Sequence, residues 1–254
     1  MSLLRTRQRA YVAIVFFVSL SAASSTYFIS PQGDDSLPGT SPANAWRTAA
    51  RASQVVFESG DAVLFQGSVT HNLSEGGSGL TVRTAQGVAD PAIVVSSYDQ
   101  GTAVLIGDGA RFDGITVLNT GGVEICNITL VDSSVVPDPH AVAFSGVHAL
   151  STGASDAAPK YIAIWIHDVS VTGFLYGVAV DAFSSCQGFS GVTIERVVAK
   201  NATGTGISSQ GSYSASCYSH ANILVVDSEA IWNQVCCQTE SVTSELRKPS
   251  CFLP

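Results

Sequence analysis

The chain is predicted to be all-β, a right-handed parallel β-helix of about five coils with an N-terminal capping strand and short helix. Three observations predict it. A Gly-aliphatic-x-small/aliphatic pattern recurs five times, at Gly79-Leu80-Thr81-Val82, Gly114-Ile115-Thr116-Val117, Gly146-Val147-His148-Ala149, Gly177-Val178-Ala179-Val180 and Gly206-Ile207-Ser208-Ser209. The glycines lie 35, 32, 31 and 29 residues apart. In the later units apolar residues fall at relative positions 0, 2, 5 and 7. These are Val123, Ile125, Ile128 and Leu130; Ile164, Ile166, Val169 and Val171; Val192, Ile194, Val197 and Ala199; then Ile223, Val225, Ser228 and Ala230. Period-2 alternation specifies strands, and the step of three specifies a tight corner between two of them. Three short strands in each turn of roughly 30 residues make a solenoid that stacks strand on strand. The composition agrees: 46% hydrophobic residues, 13% charged residues and 23 glycines suit a long apolar core with many turns.

Taken in order, residues 1–25 read as a secretory signal peptide. Arg5, Arg7 and Arg9 form its positive start, Ala10 to Leu20 its apolar stretch, and the Ser21 to Ser25 region supplies small residues for cleavage. The apolar stretch is shorter than the ~20 residues that span a bilayer. Residues 26–78 form the capping segment and entry to the solenoid. Thr26 to Ser30 is a first strand, and Ser41 and Pro42 open a short helix over Ala43 to about Ser53. Such a cap is needed because the first coil otherwise exposes core and unpaired strand edges. Residues 79–234 hold the coils, with the longest insertion between Val131 and Ile164. Residues 235–254 lack a strand pattern and are expected to be an irregular tail or the mark of a truncation.

The six cysteines suit an oxidising compartment. Cys186 lies six residues before Val192, and Cys217 lies six before Ile223, the equivalent strand start one coil later. Equivalent positions in adjacent coils are ~4.8 Å apart, within the ~4.4–6.8 Å a disulfide tolerates. A Cys186–Cys217 bridge is therefore expected. Cys126, Cys236, Cys237 and Cys251 receive no pairing, and no cysteine shows a metal-ligand spacing, so no zinc site is expected. Sequons at Asn72, Asn127 and Asn201 are expected glycosylation sites.

The formal charge is −8, and −11 without the three leader arginines. Nucleic acid and anionic membrane surfaces are poor partners for such a surface. Neutral or cationic ligands fit it directly, and acidic polysaccharide fits only where calcium or a local basic patch intervenes. Calcium is thus the candidate cofactor, with no ligand set assigned. The mature chain is expected to be extracellular, free of the membrane and monomeric.

Tyr27-Phe28-Ile29-Ser30-Pro31-Gln32-Gly33-Asp34-Asp35, Pro38 to Pro42, Trp46-Arg47-Thr48 and Gly60 to Phe65 together resemble the entry to secreted right-handed parallel β-helix proteins. Pro91 to Tyr98, Gly101 and Val104-Leu105-Ile106 look like the next segment of that family. The resemblance implies the pectate-lyase-like superfamily. Many of its members cleave or epimerise polysaccharides and others have no known activity. It implies a polysaccharide-active lyase, hydrolase or epimerase. The alternatives are a non-catalytic carbohydrate-binding or cell-surface structural protein on the same scaffold, or a truncated inactive fragment.

Alternation puts Leu80, Ile115, Val147, Val178 and Ile207 inside and Thr81, Thr116, His148, Ala179 and Ser208 outside. Arg83, Leu118, Leu150, Asp181 and Gln210 point outward two residues later. His148 and Asp181, on neighbouring coils and offset by two residues, are the candidate acid–base pair. Arg83, Ser208, Gln210 and the His140 loop are the candidate substrate contacts. The alternative is that all are ordinary solvated surface residues. If the pair works as expected, His148→Ala and Asp181→Asn lower activity or binding strongly while leaving the melting temperature nearly unchanged. Two tempting matches are set aside: Asp138-Pro139-His140, found also in alginate C5-epimerases, and Trp165-Ile166-His167-Asp168, close to a pectate-lyase segment with its last two residues exchanged. Asp168 aligns with Asn127, Arg196 and Asp227 at the corner, where Asn and Asp tolerate a left-handed backbone. Arg196 fits that role poorly.

Overall fold

The computed structural model describes residues 24–85, 88–107, 112–132, 144–153, 159–183, 186–214 and 217–231. Most of the expected leader, the tail at 235–254, Cys236, Cys237, Cys251 and His140 lie outside the described residues. The strands stack in parallel as a β-helix, as the repeat predicts.

The chain enters through β1 (Thr26–Ile29), passes a helical turn at Pro42–Asn44 and helix α1 (Ala49–Ala52), and reaches β2 (Ala62–Gln66) and β3 (Thr70–Asn72). The coils then repeat. The first holds β4 (Leu80–Val82), β5 (Val88–Tyr98) and β6 (Ala103–Ile106); the second, β7 (Ile115–Leu118) and β8 (Gly121–Val131). Next come β9 (Ser145–Ser151) with β10 (Tyr161–Thr172), then β11 (Tyr176–Ala182) with β12 (Phe189–Glu195) and β13 (Val198–Lys200). The last described coil holds β14 (Thr205–Gly211), a small antiparallel pair β15 (Tyr213–Ser214) and β16 (Cys217–Tyr218), β17 (Ala221–Val226) and β18 (Glu229–Ile231).

The first strands of the coils form a five-stranded sheet in the order β4-β7-β9-β11-β14. Its register aligns Leu80, Ile115, Val147, Val178 and Ile207. The first four are fully buried, and Ile207 packs partly buried against the core. The second and third strands of each coil merge into an eleven-stranded sheet that turns a corner. There Val123, Ile164, Val192 and Ile223 stack in one row. Buried aliphatics of this kind contribute about 1.5–3 kcal/mol each.

The recurring glycines have a steric cause. A Cβ on Gly79 would lie 2.3 Å from the Gly114 carbonyl oxygen, on Gly114 2.7 Å from that of Gly146, on Gly146 2.9 Å from that of Gly177, and on Gly177 2.3 Å from that of Gly206. Each glycine leaves room for the main chain of the next coil, so any side chain would wedge the stack open.

The corner has a backbone cause. Asn127, Asp168, Arg196 and Asp227 all adopt positive φ, 54°, 53°, 49° and 48°. A second ladder of positive φ lies five residues earlier in each coil, at Gly122, Ala163, Gly191 and Asn222. Arg196 takes the left-handed conformation despite its poor propensity, and its guanidinium forks onto Asp168 of the preceding coil, Nε–Oδ1 2.8 Å and Nη2–Oδ2 2.8 Å.

The cap departs from the sequence expectation. Ser41 makes no side-chain cap, and the single helix over Ala43 to Ser53 is replaced by the turn at Pro42–Asn44 and the four-residue α1, capped by Thr48. Trp46 interrupts it. Its N–H donates to the Phe28 carbonyl, its own carbonyl accepts from Ser30, and its indole Nε1 donates to Leu37, at 2.7–2.8 Å. Pairing with β1 therefore outcompetes helix continuation. Ser53 guards the outer edge of β4: its Oγ accepts from the Thr81 N–H at 2.8 Å and lies 3.1 Å from the Gly79 carbonyl oxygen.

Cys186 and Cys217 form a disulfide with Cα atoms 5.9 Å apart. It closes a loop spanning 31 positions, worth about 3–4 kcal/mol on a chain-entropy account. The last described rung is more open than the others: Val225 is 38% exposed, and Ala230 is exposed where its stacked neighbour Ala199 is fully buried.

Candidate functional site

On the five-stranded sheet, β9 and β11 are buried on both faces, whereas β7 alternates buried and half-buried residues. The row that faces away from the core contains Thr116, His148, Ala179 and Ser208 in register. Asp181 faces the same way, one coil on and two residues along, opposite Leu150 and Gln210. His148 and Asp181 are not solvated surface residues: they are 9% and 5% exposed.

The imidazole of His148 sits between two carboxylates, with Nδ1 2.7 Å from Asp113 Oδ2 and Nε2 3.0 Å from Asp181 Oδ2. Both nitrogens facing carboxylate oxygens requires both to carry protons. Burial pushes the ring pKa down, but the hydrogen bonds to Asp113 and Asp181 outweigh it and carry it from 6.5 up to about 9. His148 is therefore an imidazolium at neutral pH. Asp113 is held in turn by the Ser145 N–H on Oδ1, 2.7 Å, and the Thr116 hydroxyl on Oδ2, 3.3 Å. Asp181 Oδ2 bonds His148, while its Oδ1 is buried without a partner, as is Ser208 Oγ. Buried polar atoms without partners are costly and uncommon. Here they lie on neighbouring strands of one face.

The raised pKa sets a pH dependence of stability. A folded-state value of about 9 against 6.5 means the contribution is complete below pH ~6.5 and lost as pH rises through about 9. Thermal unfolding should show stability falling by roughly 3 kcal/mol across that window, an effect absent in His148→Gln. A flat profile between pH 6.5 and 9 in the parent protein would contradict a protonated His148.

Calcium does not fit this cluster. A hard cation needs six or more oxygen ligands, and both Asp113 oxygens and one Asp181 oxygen are already taken by donors. The imidazolium occupies the place between the carboxylates that a cation would fill.

The other expected contacts are spread out. Ser208 lies in the row of His148, and Gln210 pairs with Asp181 and is exposed, its carbonyl accepting from His220 Nε2 at 2.7 Å. Arg83 is exposed just past β4, two strands from β9, and is not brought to His148. Asp113 was missed by sequence reasoning because it precedes Gly114 and lies off the strand pattern. Asn72, Asn127 and Asn201 are all exposed. Asn72 Oδ1 accepts from the N–H and hydroxyl of Ser74 in its own sequon, 2.9 and 2.6 Å.

Among solved structures, the chain is similar to a GH136 lacto-N-biosidase from Eubacterium ramulus. The native protein superposes with a TM-score of 0.61 at 11% identity, covering 80% of this chain and 41% of that one. The selenomethionine derivative gives 0.61 at 12% identity, covering 83% and 43%. This likeness is one of fold, and the chain spans less than half the length of that enzyme. No protein-family model and no curated protein matches the chain.

Proposed function

We propose that this protein is a secreted glycan-acting hydrolase in which Asp181 supplies the reacting carboxylate. His148, protonated and anchored by Asp113, positions Asp181 without touching substrate. The observation that carries this reading is the buried Asp181 Oδ1: one oxygen is fixed by an imidazolium and the other has no partner. A carboxylate so placed can act as base or nucleophile toward a glycosidic bond. Ser208 and Gln210 lie one coil further along the same face and would contact neighbouring sugar hydroxyls.

Hydrolysis is favoured over β-elimination by the state of the basic side chains. The resemblance to polysaccharide lyases implies a Lys or Arg base. Among the described residues, Lys160 Nζ is tied to the carbonyls of Cys186 and Ser219 at 3.0 and 2.9 Å, and Arg196 is forked onto Asp168. Lys200 and Arg83 stand away from Asp181, the first on the other sheet. The GH136 neighbours, glycosidases on a similar scaffold, support the glycan reading. The amino-terminal leader and the three exposed sequons support secretion as a glycoprotein.

A panel of neutral and uronate-containing oligosaccharides, lacto-N-biose-terminated chains among them, tests the proposal. New reducing ends without unsaturated product, abolished by Asp181→Asn, are expected. Unsaturated product would overturn hydrolysis. Saturable binding without turnover would assign the scaffold to carbohydrate binding instead.

A further inference from the structure

A second cluster lies on the other sheet. Cys126 on β8 and His167 on β10 are direct register partners, and Glu124 is two residues before Cys126 and so shares its outward face. One ligand atom from each, a carboxylate oxygen, Sγ and an imidazole nitrogen, lies within 4.8 Å of the other two. We propose that Glu124, Cys126 and His167 bind a single thiophilic divalent cation of the zinc class. This inference is independent of the hydrolase reading.

Four features of the surroundings bear on it. His167 Nδ1 is 2.7 Å from Asp168 Oδ2, and Asp168 is itself gripped by both prongs of Arg196. A carboxylate on Nδ1–H is the arrangement that orients a metal-ligating histidine and presents Nε2 as the donor. That Nε2 lies 3.1 Å from Glu124 Oε1. A proton or a cation must stand between these two atoms. The separation is close to the ~3.3 Å edge of a tetrahedron built on Zn–N and Zn–O bonds of about 2.0 Å. Finally, the Cys126 thiol donates to the Ser96 hydroxyl at 3.4 Å, and loss of its proton to a metal would free that hydroxyl to turn and donate to the sulfur. The Trp165 ring stacks on His167 with centroids 3.9 Å apart and fixes the imidazole plane.

The donor set selects the metal. One thiolate, one imidazole and one carboxylate suit zinc and its congeners, while calcium and magnesium take oxygen ligands. Three protein ligands leave a fourth position for water or an added ligand, and all three residues are half-buried, so that position is reachable from solvent.

The test uses tag-free full-length protein, stripped with chelator and titrated with Co²⁺ and Zn²⁺. One equivalent of Co²⁺ should give visible bands of four-coordinate cobalt and a near-ultraviolet thiolate charge-transfer band. Cys126→Ser should remove the charge-transfer band, His167→Ala should weaken Zn²⁺ binding at least ~100-fold, and Asp168→Asn about 10–100-fold. In the unaltered protein, Zn²⁺ should protect the Cys126 peptide from alkylation, a readout that needs no variant to fold. Absence of stoichiometric binding, alkylation indifferent to Zn²⁺, or a charge-transfer band retained in Cys126→Ser would overturn the proposal.

Discussion

Asp181→Asn should fold as a parallel β-helix and lose glycan turnover by about a thousandfold or more, the upper range for a positioned acid–base group. The amide keeps the size of the carboxylate and can still accept from His148 through its oxygen, so the loss would reflect charge rather than packing. His148→Ala should behave differently. It removes the ring that lies 2.7 and 3.0 Å from Asp113 Oδ2 and Asp181 Oδ2, leaves Asp113 Oδ2 only the Thr116 hydroxyl, and sets a buried carboxylate facing a part-buried one. Both turnover and stability should fall, stability by about 3 kcal/mol. An unchanged melting temperature is therefore no longer expected at His148, whose ring is buried and bonded on both nitrogens. A positioning role also predicts that His148→Gln retains some turnover with a shifted pH profile. If Asp181→Asn turns over glycan at the parent rate, the reacting carboxylate lies elsewhere.

Gly177→Ala should be among the most damaging single-methyl changes in the chain. Its Cβ would fall 2.3 Å from the Gly206 carbonyl oxygen and 2.7 Å from the Ala199 Cβ, one a fixed backbone atom and the other a short core side chain. Neither can swing aside, so the coils must separate locally, at a cost of about 3 kcal/mol. For a chain of this size that lowers the melting temperature by about 6–12 °C. Gly77→Ala is the control. Gly77 has φ +76°, but an added methyl there would meet nothing within 4 Å, so only left-handed strain of about 1–2 kcal/mol applies. Equal melting temperatures for the two variants, read by circular dichroism, would refute the steric account of the repeat.

The fold was legible because its period is written in small and aliphatic residues that every coil must repeat. Gly79, Gly114, Gly146 and Gly177 recur since each faces the next main chain, and Val123, Ile164 and Val192 recur since each tops the last. The site was legible only in part. The diagonal from His148 to Asp181 follows from alternation and register, both local rules. Asp113 does not, because it reaches His148 from a turn just outside the strand pairing. Nor does the burial of His148, whose bonding partners Asp113 and Asp181 come from the coils on either side. Trp46 broke the expected helix for the same reason: its partner strand, β1, is distant along the local pattern. Cys126 and His167 stand 41 positions apart, so no ligand-spacing rule could join them before the register was known.

The disulfide between Cys186 and Cys217 changes how the stack can come apart. In a linear array each coil is held mainly by its two neighbours, and opening starts where a neighbour is weakest. Among the described residues the least covered is the β17–β18 rung, whose Val225 and Ala230 are less covered than the residues they stack on. Strand loss moving inward from that rung meets a covalent tie linking the β11–β12 connection to β16. Beyond it, the two coils can open only together. The tie therefore sets the size of the smallest unit that can open there, and it keeps fraying at the far rung from spreading coil by coil to the strand that carries Asp181.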